Sequence, residues 1–131
     1  MTDATFRRAF EDCSLSPDEF THDGHLRMAW IYVIAHPLHE AIALFCTDLR
    51  RYVTHLGDEA KYHETITWFY MIKVHERAVE LDSANSWGEF QRHNKDLFER
   101  GGVLLKKNYQ PATLSSAKAK TSFILPDLIS S

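Results

Sequence analysis

The chain has 131 residues, 44% apolar and 25% charged, with a formal charge of −3. Such a length suits one domain whose core needs no covalent staples, and such a charge gives no electrostatic ground for binding nucleic acid. The two cysteines, Cys13 and Cys46, form neither a Cys-x-x-Cys pair nor a zinc-finger spacing, and no apolar run approaches the roughly 20 residues that span a bilayer.

In chain order, residues 3–13 place Phe6, Ala9 and Phe10 on one side and predict a short amphipathic helix. Ser16-Pro17-Asp18-Glu19 is a helix-start signature. Thr21 is suited to cap a second helix over about 22–36, which Pro37 ends. A third helix, about 38–56, has a clear 3.6-residue inner face from Leu38 and Ile42 to Val53 and Leu56, and Gly57 is its natural stop. Asp58 is placed to cap a fourth helix, about 59–81, rich in aromatic residues. Asp82-Ser83-Ala84-Asn85 breaks the pattern, and Ser86 caps a short helix at about 87–93. Another follows at about 95–107, interrupted by Gly101-Gly102. Ser115 could cap one more, and Phe123-Ile124-Leu125-Pro126 forms an apolar clip able to fold back. No segment alternates as a strand would. The expected fold is all-α: a helical bundle of three long helices plus shorter N- and C-terminal helices, with a bundle domain at 1–110 and a tail at 111–131 that packs on the body or on a partner subunit.

Two stripes repeat one spacing. His25, Ala29, Tyr32 and His36 fall at i, i+4, i+7, i+11, and so do Glu64, Trp68, Met71 and His75. Eleven residues return to nearly the same side of a helix. Each stripe therefore has a polar residue at both ends and apolar bulk between, and a buried polar group needs a partner. With short connections, the second and fourth helices start at the same end of the bundle. That end collects His22, Asp23 and His25 with Tyr62, His63 and Glu64. The other end collects His36, His39 and His75, about 16 Å away, too far to share an ion with the first.

Three imidazoles and a carboxylate suit iron, copper or zinc. The expectation is one transition-metal ion held by His22, His25 and His63, with Glu64 as fourth ligand or general base and Tyr62 as a hydrogen-bond or proton donor. Lys61 would meet an anionic substrate at the rim, with Trp30 and Trp68 lining a pocket for a small molecule. The reading is a metal-dependent enzyme of oxidative or hydrolytic type, in the cytoplasm because the polar start lacks an apolar signal core, free of membrane and nucleic acid and open to homo-oligomer formation. The competing reading is a non-catalytic helical module that binds a ligand or partner and whose histidines are structural. Absences narrow the chemistry. His63-Glu64-x-x-Thr67 lacks the second histidine of zinc proteases, no Glu-x-x-His pair occurs, and no phosphate-cradling glycine loop or Gly-x-Ser-x-Gly is present.

Three phrases carry a resemblance. Thr21-His22-x-x-His25-Leu26, Lys61-Tyr62-His63-Glu64-Thr65, and Tyr109-Gln110-Pro111 with Phe123-Ile124-Leu125-Pro126-Asp127 resemble a family of small, largely uncharacterised bacterial all-α proteins. The likeness runs from about Phe20 to Asp127. It implies that His22, His25, His63 and Glu64 act as one group and implies no particular reaction.

Overall fold

A computed structural model describes residues 1–80 and 86–128. Among these there are eight α-helices and no strand, so the fold is all-α. Three helices are long: α2 (His22–Ala35), α3 (Leu38–His55) and α4 (Glu64–Glu80). Five are short: α1 (Asp3–Glu11), α5 (Trp87–His93), α6 (Val103–Lys106), α7 (Pro111–Leu114) and α8 (Ala117–Thr121). The most extensive packing is of α2 on α4, with α3 against both.

Local chemistry sets most boundaries. The hydroxyls of Thr2, Thr21, Ser86 and Ser116 accept from the backbone N–H three residues on and so start α1, α2, α5 and α8. The last start falls one residue beyond Ser115. The sequence reading merges two elements in the fourth helix. Residues 59–61 form a separate 3-10 turn, Tyr62 is extended (φ −65°, ψ 133°), and α4 begins only at Glu64. Asp58 makes no capping bond there; His63 caps instead, its Nδ1 accepting from Ile66 N at 3.2 Å. Positive φ at Gly101 and Gly102 likewise splits the stretch predicted at 95–107 into a 3-10 turn at 95–98 and α6. The break expected at Asp82-Ser83-Ala84-Asn85 lies outside the described residues.

The core is aromatic. Phe10 packs against Phe20, Phe45, Tyr32 and Tyr52, with ring centroids 5.2–6.2 Å apart. Tyr32 donates to Asp48 Oδ2 at 2.6 Å, and Arg51 sits 3.1 Å from the same carboxylate, so this buried acid is doubly engaged. Gly24 lies so close beneath the Glu19 carbonyl that a Cβ there would meet the oxygen at 2.2 Å. Glycine is thus a packing requirement inside the Thr21–Leu26 phrase.

The C-terminal segment closes over α4. The Thr65 hydroxyl lies 2.7 Å from the carbonyls of both Ala119 and Ser122, and its oxygen accepts from Ile124 N at 3.1 Å. Phe123 stacks on Trp68 with centroids 4.9 Å apart, and Tyr109 donates to the Ile124 carbonyl at 2.6 Å. Replacing Thr65 by valine keeps the shape and leaves these backbone groups unpaired. Thr65→Val is expected to lower unfolding free energy by about 1–3 kcal/mol and to expose residues 117–128 to limited proteolysis; unchanged denaturation and cleavage would remove the hydroxyl from this role.

Candidate functional site

The residues predicted to hold a metal do not converge on one. Among the described residues no group of three or more His, Cys, Asp or Glu side chains is placed to hold an ion. The geometry of the individual rings gives the reason. His63 donates from Nε2 to the Leu114 carbonyl at 2.8 Å while its Nδ1 accepts from Ile66 N. A carbonyl only accepts and an amide only donates, so the ring is neutral, carries its hydrogen on Nε2, and has no lone pair to offer. His22 likewise donates from Nε2 to the Leu97 carbonyl at 3.0 Å, with its ring edge-on to Tyr70. His25 stacks on Phe20 and packs against Phe45, centroids 5.0 and 5.5 Å away. Two of the three proposed ligands therefore tie irregular segments to the bundle, and the third is an aromatic-core residue. The metal-dependent enzyme expected from the sequence is corrected on this ground. The second set is not assembled either: His36 Nδ1 lies 3.7 Å from Glu40, and His39 is exposed.

The other nominated residues separate. Trp30 is buried in the core against Trp87 and Phe90, away from any ligand surface. Lys61 is exposed and 3.7 Å from Asp58. Tyr62 donates its hydroxyl to Glu64, so the proposed acid and base are bonded to each other. Burial, reinforced by Cys46 and Glu64, pushes the Tyr62 phenol well above its ordinary range, which makes it a poor proton donor.

Two hollows lie near the start of α4. The larger is a cleft of about 570 Å³ between α3 and α4. On α3 it is lined at helical spacing by His39, Ile42, Ala43, Cys46 and Arg50; Glu64, Trp68 and Ile72 face it from α4, each four residues from the next. Its middle is apolar. One end holds a charged pair, Arg50 3.5 Å from Glu64, with the guanidinium 4.6 Å from the Tyr62 ring centroid. Burial pushes the Cys46 thiol up to about 11, so it is no ready nucleophile. Neither Cys46 nor Arg50 is among the residues nominated from the sequence. The signal passed over is the stripe 39-43-46-50, adjacent to the inner face of α3.

The smaller hollow, about 240 Å³, lies where His25, Lys61, Tyr62 and His63 come together with Phe20 and the inner residues of α3. Of the residues nominated from the sequence, His25, Lys61, Tyr62 and His63 line this hollow, while His22 and Glu64 line others.

Comparison of the chain with protein-family models, curated proteins and solved structures returns no match.

Burial, followed by the nearby His22, lowers the His25 pKa from 6.5 to about 4. The unfolded chain therefore takes up a proton below pH 6.5 that the folded chain refuses until about pH 4. Folded stability should fall as pH drops through this window and level off below it. Water reaches the ring through the hollow, which limits the loss to about 1–3 kcal/mol. Denaturation of wild type and His25→Phe between pH 7 and 4 should show a shallower slope in the variant; parallel curves would remove His25 as the cause.

Proposed function

We propose that this protein is a non-catalytic helical binding module whose ligand lies along the α3–α4 cleft, and that the ligand is an elongated apolar molecule ending in a carboxylate. The observation that carries this reading is the lining itself: a strip with an apolar middle that spans about eight residues on α4 and about twelve on α3, with the Arg50–Glu64 pair at one end. At 1.5 Å per residue it runs for about 12–18 Å. Its volume falls within the usual range for small-molecule sites, about 300–1,000 Å³. Arg50 supports an anionic head. Its side chain is 59% exposed, and Glu64 at 3.5 Å leaves guanidinium N–H groups open to solvent. Glu64 already accepts the Tyr62 hydroxyl. A second carboxylate can take the solvent side of Arg50 in two parallel hydrogen bonds. His39 at the far end and Trp68 in the middle would fix the ligand's reach and plane.

Trp68 makes the reading measurable. Titration with dodecanoate should change the tryptophan emission of the wild type saturably, and Trp68→Phe should abolish the change while Trp30 and Trp87 remain. Arg50→Gln should weaken dodecanoate by about tenfold and leave dodecanol unaffected. Absence of a Trp68 signal with both ligands, or equal loss of both in Arg50→Gln, would defeat the proposal. Concentration-dependent dimerisation blocked by Trp68→Glu would instead assign the cleft to a second copy of the chain.

A further inference from the structure

The hollow beside His25 has a chemistry of its own, independent of the α3–α4 cleft. Four of its walls are apolar: Phe20, Leu49, Val53 and Ile66. Its polar side chains are nearly all engaged. Tyr62 donates to Glu64. Both ring nitrogens of His63 are bonded. The Thr67 hydroxyl donates to the His63 carbonyl at 2.7 Å. Lys61 is held outward toward Asp58. His25 alone makes no hydrogen bond among the described residues, and its nitrogens are not among the atoms sealed from solvent. An imidazole packed against two aromatic rings, with nitrogens open to the hollow and no protein partner among the described residues, offers a hydrogen bond to whatever fills the hollow.

We propose that this hollow is a binding site for a small neutral ring bearing one hydroxyl, a phenol, whose hydroxyl bonds to His25. Size, shape and polarity agree on this class. A cavity of about 150 Å³ accommodates benzene, and this one, at about 240 Å³, has room for one substituted ring but not two. Phe20, stacked at 27° on His25, and Tyr62 line the hollow with aromatic carbon. A neutral imidazole offers one acceptor and one donor, and a hydroxyl satisfies either. Lys61, the charged residue of the lining, is exposed and turned toward Asp58, so a carboxylate or ammonium drawn in beside His25 would lose hydration without a close counter-charge.

The test uses the full chain, with 4-fluorophenol and 4-fluorotoluene followed by fluorine NMR. In the wild type, 4-fluorophenol should bind about tenfold more tightly than 4-fluorotoluene. In His25→Phe, which keeps the stack on Phe20, the two should bind alike. Val53→Phe, which fills the hollow from α3, should abolish both. Should His25→Phe not fold, nitrogen-15 spectra of the wild-type imidazoles decide: the His25 ring must respond to 4-fluorophenol and not to 4-fluorotoluene. Equal affinity for the two probes in wild type, no binding of either, or an unmoved His25 ring would overturn the proposal. So would binding lost in Trp68→Phe but kept in Val53→Phe, because that places the phenol in the α3–α4 cleft. Loss of dodecanoate binding alone would touch only the cleft.

Discussion

The architecture depends on satisfying carbonyls that the irregular segments cannot pair for themselves. Tyr52 on α3 donates to Leu15, His22 on α2 to Leu97, His63 at the start of α4 to Leu114, and Thr65 on α4 to Ala119 and Ser122. Each bond joins a polar side chain at or near a long helix to a carbonyl 37 to 75 residues away in the chain. A buried carbonyl without a partner costs about 1–3 kcal/mol, so these bonds select one arrangement of the short helices among many that would bury similar apolar area. The interior members of the two apolar stripes, Ala29, Tyr32 and Met71, are core; the histidines that reach across to backbone, His22 and His63, lie beside the stripes and not at their ends.

That use of histidine reshapes the chemistry of the molecule. A ring whose two nitrogens are bonded to an amide and a carbonyl is neither a metal ligand nor a proton shuttle. What remains for binding is the space beside those bonds. Two hollows of contrasting character result: a long cleft ending in the Arg50–Glu64 pair, and a small, mostly apolar pocket around an imidazole that has no hydrogen-bond partner among the described residues. The extended backbone at Tyr62 sets the direction of the side chains of residues 61–63, which a continuous helix over 59–80 would turn elsewhere. The Lys61–Thr65 phrase therefore acts as a joint: His63 caps α4, Thr65 holds the C-terminal segment, and Tyr62 walls the smaller hollow while its hydroxyl bonds Glu64 at the end of the cleft.

The all-α class, the three long helices and the caps Thr21 and Ser86 were legible in the sequence, because apolar periodicity and Ser/Thr capping act over three or four residues. The same local information placed His22, Asp23, His25, Tyr62, His63 and Glu64 at one end of the bundle; His25, Tyr62 and His63 line one hollow, whereas His22 and Glu64 line others. It misjudged the chemistry there. Wheel positions say which way a side chain points; they do not say that a backbone carbonyl from residue 97 or 114 waits in that direction. Arg50 and Cys46 were missed for a related reason. Their stripe borders the inner face of α3, and whether a border stripe meets solvent or a cleft depends on how α4 leans against α3.

The sequence by itself thus determined where the helices form, how they begin, and which faces are apolar, since those are set by torsional preference, capping and hydrophobic spacing within a few residues. Only the tertiary structure decided what the histidines do. Hydrogen-bond partners for His22 and His63 come from segments 51 to 75 residues distant, and the approach of those segments is fixed by packing over the whole chain. The difference between a metal ligand and a structural tie is the identity of one atom about 3 Å from a ring nitrogen, and no local spacing records it.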